Sequence, residues 1–145
     1  MPPARKHRTR YAAHMNDDQR AYALVMGQVI AQLRRRRGLS QAELAASVGV
    51  AQATISRIEH GQLLADVHLT GRLAQALGVT RDALLAKVDT SITATRKAAQ
   101  GAQGQPTTQK FAWSDVFKVA GLAGLAGLVA FGVAAVLSQE EPEDR

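Results

Sequence analysis

Two helix starts and two glycines crowd the stretch from Ser40 to Gly61, and their spacing restricts the fold more than any other feature of the chain. Ser40 is followed three residues later by Glu43, a capping-box pattern in which each side chain takes up the other's orphan backbone N–H. A short helix runs on to about Val48 and breaks at Gly49, which tolerates the positive φ of a tight turn. After Val50 a second short helix runs from about Gln52 to His60 and stops at Gly61. Ala45 is small where the second helix must cross the first, and Leu44, Val48, Ile55 and Ile58 make one apolar face. Helices this short depend on tertiary burial of such a face.

The flanking sequence supplies partners for that face. Asn16, with Asp17 and Asp18 behind it, caps a helix whose apolar positions are Tyr22, Val25 or Met26, Val29, Ile30 and Leu33, and Gly38 ends it. Asp66 to Leu77, closed by Gly78, reads as another helix, and Thr80 caps a last one through about Lys87. The expectation is an all-α domain of five helices with no strand, spanning residues 16–89.

Outside that domain the composition changes. Residues 1–15 carry Arg5, Lys6, Arg8 and Arg10 without apolar periodicity and read as a basic flexible arm. Residues 90–112 are rich in Thr, Ala, Gln and Gly and read as a flexible linker. The uncharged run from Val119 to Gln139 would extend roughly 31 Å as a helix, close to the ~30 Å hydrocarbon thickness of a bilayer. Residues 113–139 are therefore expected to form a single transmembrane helix with an interfacial flank of Phe111, Trp113 and Phe117, and 140–145 an acidic tail. Small residues at four-residue steps, Ala123 with Gly127 and Ala126 with Ala130 and Ala134, suggest a homodimer face.

Charge narrows the partners. The formal charge is +6, with the basic excess in residues 1–40 and 91–118, so a polyanion is expected. There is no cysteine, which excludes disulfides, thiolate metal sites and a cysteine nucleophile. His7, His14, His60 and His68 lack metal-ligand spacing, and no triad, phosphate-cradling loop or carboxylate pair is present. The reading is of a protein that is not an enzyme and has no metal or other cofactor.

The segment GLSQAELAASVGVAQATISRIEHG resembles the Cro and lambda-repressor-like (XRE-type) helix-turn-helix family, and the resemblance extends over about residues 20–88. It implies a five-helix lambda-repressor-like domain that binds double-stranded DNA by laying its third helix in the major groove. Turning that helix by 100° per residue sets Gln52, Ala53, Ser56, Arg57 and His60 opposite Ile55 and Ile58, a polar side with no carboxylate. In this family Gln52 would pair with adenine, Ala53 or the Thr54 methyl would touch a thymine methyl, and Arg57 would reach a guanine edge or a phosphate. Gln41 matches a phosphate-holding position beside a helix N-terminus, and Arg34 should pair structurally with Glu59.

Combined with the apolar run, the resemblance implies a membrane-anchored, sequence-specific transcriptional regulator. Arg96, Lys97, Lys110 and Lys118 precede the run, which would place the protein in the bacterial inner membrane as a single-pass chain with its N-terminal domain in the cytoplasm. The same arrangement also resembles the RodZ family of membrane adaptors, which bind a cytoskeletal filament through exposed aromatics. Residues 39–90 contain no Phe, Tyr or Trp, which favours DNA over such a filament.

Overall fold

The computed structural model describes residues 15–102 and 111–139, and among these are six helices and no strand. They are α1 (Asp17–Arg36), α2 (Gln41–Val48), α3 (Gln52–Glu59), α4 (Val67–Ala76), α5 (Arg81–Ala102) and α6 (Trp113–Ser138). The acidic tail, and the basic arm as far as His14, lie outside the described residues.

Helix α1 starts in a capping box: the Asn16 side chain accepts from the Gln19 N–H at 2.8 Å, and the Gln19 side chain accepts from that of Asn16 at 3.1 Å. The helix is the centre of the molecule. Val25, Val29 and Ile30 are fully buried, and α3, α5 and α6 all pack against it. Each fully buried side chain of this kind stabilises the fold by about 1.5–3 kcal/mol. Gly27 marks a close approach, because a Cβ there would run into the Ile58 carbonyl oxygen of α3. Helix α4 is capped by Asp66, which accepts from the Leu69 N–H at 2.7 Å, and it sets Leu73 and Leu77 into the same core.

The expected linker is helical over its first half. Helix α5 does not end near Lys87 but continues to Ala102, burying Val88, Ser91, Thr95 and Ala99. These residues keep helical spacing, but two of the four carry hydroxyls, so an apolar pattern is hard to see. Of the two buried hydroxyls, that of Thr95 back-bonds to the preceding turn, donating to the Ser91 carbonyl at 2.8 Å, as exposed Thr90 does to Ala86 at 2.8 Å and exposed Thr93 to Asp89 at 3.1 Å, while Ser91 Oγ is buried with no hydrogen-bond partner among the described residues. Residues 103–110 of the expected linker lie outside the described residues.

The expected transmembrane helix is overturned. Among the described residues no helix is long and apolar enough to cross a membrane. Gly121 interrupts α6 with φ 63° and ψ −178°, a conformation essentially confined to glycine, and the helix axis kinks there. The uninterrupted part, Leu122 to Ser138, is roughly 26 Å long, short of the ~30 Å hydrocarbon core. Its apolar residues also have a use within the protein. Leu125, Val129, Val133 and Leu137 repeat every four residues, are fully buried, and belong to one continuous core with α1 and α5. Gly132 lets α6 approach α5 so closely that a Cβ there would stand 2.7 Å from Thr95 Oγ1.

The flank expected at a lipid interface is equally committed to the protein. Trp113 is only 4% exposed, and Phe111 meets it edge to face with ring centroids 4.9 Å apart. The Arg20 guanidinium lies 5.2 Å from the Phe117 ring centre, and that of Arg96 lies 5.2 Å from the Phe111 ring centre. The placement in a bacterial inner membrane, with the membrane as partner, rested on this span and falls with it.

Candidate nucleic-acid interface

Local signals fix the two short helices at the centre of the interface. Ser40 Oγ accepts from the Glu43 N–H at 3.1 Å, and the Glu43 carboxylate accepts from the Ser40 N–H at 2.7 Å. Donation from the Ser40 backbone N–H first, and from the Ser40 hydroxyl second, holds the Glu43 carboxyl below its ordinary range. At the far end of α2, Gly49 takes the left-handed conformation (φ 69°, ψ 38°), and Val50 N–H returns to the Ala45 carbonyl at 3.0 Å. Arg72 of α4 donates to the neighbouring Val48 carbonyl at 2.7 Å, tying the turn to the body of the domain.

Helix α3 leaves this turn with no side chain capping its N-terminus at Ala51. Ile55 and Ile58 go into the core, while Gln52, Ala53 and His60 are exposed and Thr54, Ser56 and Arg57 are half-buried. The His60 ring nitrogen Nδ1 sits 2.7 Å from the Ser56 carbonyl, on the polar side of the helix. The one carboxylate of α3, Glu59, is buried on the other side.

Glu59 is held by a three-way contact. Arg34 Nε donates to Glu59 Oε1 at 2.6 Å and Nη2 to Oε2 at 3.1 Å, with Nη1 bound to the Leu39 carbonyl at 2.7 Å. The Glu59 hydrogen bond raises the Arg34 pKa further above its ordinary value. Gln41 supplies the third arm, its amide donating to Glu59 Oε2 at 2.8 Å. Gln41 thus stands at the start of α2, where the sequence suggested a phosphate, but its amide nitrogen is turned inward to Glu59.

Residues 25–87 match the helix-turn-helix domain family. An uncharacterized HTH-type transcriptional regulator of Sinorhizobium fredii (strain NBRC 101917 / NGR234), y4dJ, is 38% identical over 72 residues, covering 50% of this chain and 94% of that protein. The chain belongs to the helix-turn-helix family. No solved structure matches it. The family match stops at Lys87, so the second half of α5 and the whole of α6 lie beyond the helix-turn-helix domain proper.

Two arginines in this helix-turn-helix protein have roles that the sequence did not disclose. Arg36 donates to the Leu137 carbonyl at 2.8 Å, closing the C-terminal end of α6. The Arg37 guanidinium fills the space that a Cβ on Gly78 would need. With Arg34 on Glu59, most of the Arg34–Arg37 run is tied to neighbouring elements, and a run of like residues gave no signal of such separate roles.

Proposed function

We propose that this protein is a sequence-specific DNA-binding transcriptional regulator that reads the major groove with α3. The observation that carries the reading is the outer side of α3. It presents Gln52, Ala53, Thr54, Ser56, Arg57 and His60, while its one carboxylate is withdrawn into the contact with Arg34. An exposed carboxylate there would repel phosphates, whereas a neutral and basic side leaves both base edges and backbone accessible. On this reading Gln52 pairs with adenine, Ala53 and the Thr54 methyl lie against a thymine methyl, and Arg57 and His60 reach a guanine edge or phosphates. The backbone N–H groups at the starts of α2 and α3 add to phosphate contact. The Sinorhizobium fredii relative, by name an HTH-type transcriptional regulator, points the same way.

The membrane-adaptor alternative required an anchor, and no described helix supplies one. A genome-wide binding profile tests the DNA reading. The intact protein is expected to occupy discrete sites sharing one sequence, and Gln52→Ala with Arg57→Ala should abolish the occupancy. A flat profile for the intact protein would remove the reading.

A further inference from the structure

Helix α3 is fastened at both ends by arginines of other helices. At its C-terminal end Glu59 is held by Arg34 of α1, at 2.6 and 3.1 Å. At its N-terminal end no side chain caps the helix at Ala51, and the turn leading into it is gripped from α4, where Arg72 Nη1 donates to the Val48 carbonyl at 2.7 Å. Val48 is the last residue of α2, and the carbonyls of a final helical turn need donors from outside the helix. Helix α2 has no basic residue of its own in that turn, so Arg72 supplies the positive charge that complements its C-terminal dipole. The same guanidinium lies beside Gly49, where a Cβ would stand 3.6 Å from Nη1. Its Nε is buried without a hydrogen-bond partner among the described residues, so the grip on the turn is made through Nη1.

We propose that Arg72 is a positioning residue for base reading: by holding the α2–α3 turn it sets where Gln52 stands in the groove. The inference rests on the DNA reading above. Gln52 is the first residue of α3 and Glu59 the last, roughly 10 Å apart along the axis. Ile55 anchors the buried side between them, but apolar burial is non-directional and does not by itself fix a tilt. With the Arg34–Glu59 contact as pivot, a tilt of about 6° moves Gln52 by roughly 1 Å. Paired hydrogen bonds to a base edge need their geometry held within about 0.5 Å. Arg57 stands only two residues from the pivot and moves by roughly 0.3 Å in the same tilt. Loosening the turn therefore disturbs what Gln52 reads and spares what Arg57 contacts.

Two variants of the full chain separate the donor from the bulk of the side chain. Arg72→Met keeps the aliphatic stem and removes the donor, and Arg72→Lys returns a donor and the charge. Hydrogen exchange without DNA is the first arm. The N–H groups of Val50 and Thr54, bonded to the Ala45 and Ala51 carbonyls, are expected to exchange at least about tenfold faster in Arg72→Met. That of His60, at the pivot end, should exchange as in the wild type, and Arg72→Lys should restore the protection.

The second arm is anisotropy titration on the preferred duplex and on a scrambled one. Arg72→Met should bind the preferred duplex about tenfold more weakly, with unchanged affinity for the scrambled duplex and an unchanged salt slope, and Arg72→Lys should recover most of the loss. Added to Gln52→Ala, Arg72→Met should weaken binding no further, because both remove one contact. A merely destabilising change would not single out Gln52 in this way. Wild-type exchange rates at Val50 and Thr54 in Arg72→Met overturn the positioning role, whatever the titrations give. Additive losses with Gln52→Ala, or a salt slope lower by about 1, place Arg72 on a phosphate and overturn it as well. A wild type with no preferred duplex removes the DNA reading and the base-reading role together, and it is recognised separately because the exchange arm contains no DNA.

Discussion

Arg34 and Glu59 form a two-point ion pair between α1 and α3, with side chains only 10% and 4% exposed and the shorter contact at 2.6 Å. Gln41 and the Leu39 carbonyl occupy further bonding positions of the pair, so three elements meet on it. Removing one member leaves the other charged and buried, which costs about 3–5 kcal/mol. Arg34→Ala is expected to lower the unfolding free energy by about that amount in urea denaturation. Arg34→Lys should recover only part of it, because an ammonium does not match both carboxylate oxygens. Equal stability of Arg34→Ala and wild type would mean that the pair does not hold α3 in place.

A second prediction contrasts two glycines within helices. Alanine ordinarily favours a helix interior by about 1 kcal/mol over glycine. At Gly71 of α4 nothing lies within 4 Å of an added Cβ, and Gly71→Ala should stabilise by roughly 0.5–1 kcal/mol. At Gly27 the added methyl runs into the Ile58 and Glu59 carbonyls, and backbone cannot step aside as a side-chain tip can. Gly27→Ala should instead cost about 1–3 kcal/mol. Thermal unfolding of the two variants side by side checks the opposite signs.

The third prediction concerns α6 as part of the core. Leu125 and Leu137 are fully buried, so truncating either to alanine should cost about 2–5 kcal/mol in aqueous buffer. Trp113, the single tryptophan, is buried at the start of the same helix and reports the transition directly by fluorescence. The expected result is one shifted transition by both fluorescence and circular dichroism. A helix hanging free of the domain would leave the circular dichroism transition where it was.

What the sequence made legible divides along physical lines. The starts of α1, α2 and α4 were readable because Asn16, Ser40 and Asp66 each cap a backbone N–H three residues on, a contact local in sequence. The second half of α5 was hidden because its buried side is partly Ser91 and Thr95, which hydropathy counts as polar. The role of α6 was hidden for the opposite reason. Its run is uncharged almost throughout, so length outweighed the four-residue repeat Leu125, Val129, Val133 and Leu137 that marks a single buried side. Contacts such as Arg36 on the Leu137 carbonyl join residues far apart in the chain and leave no local trace.

The capping box at α2 makes stability depend on pH in a stated direction. The Glu43 carboxyl is held below its ordinary 4.5 by the Ser40 N–H and hydroxyl. A depressed folded-state value contributes stability that is present above 4.5 and is lost as pH falls through the lower folded-state value. The difference in thermal midpoint between wild type and Glu43→Gln should therefore be largest near neutral pH and shrink in acid. Ser40→Ala keeps the backbone N–H and should remove only the hydroxyl's smaller share of this pH dependence, while costing about 1 kcal/mol as a lost cap. A Glu43→Gln difference that grows on acidification would contradict the assignment.

On the DNA reading, Gln52 and Arg57 are expected to fail in distinguishable ways. A side chain that pairs with one base discriminates by about 1–3 kcal/mol and contributes little to non-specific attraction. Gln52→Ala should therefore weaken binding to the preferred site by that amount, leave affinity for unrelated duplex unchanged, and preserve the dependence on salt. A basic side chain on a phosphate instead releases a counterion, so its removal weakens all duplexes alike and lowers the slope of log affinity against log salt by about 1. If Arg57→Ala changes the slope, Arg57 is on the backbone; if it relaxes specificity at one guanine with the slope intact, Arg57 is on a base edge. Fluorescence anisotropy titrations at several salt concentrations, on the preferred site and on a scrambled duplex, separate the two. Binding of the wild type that did not weaken with added salt would contradict phosphate contact altogether.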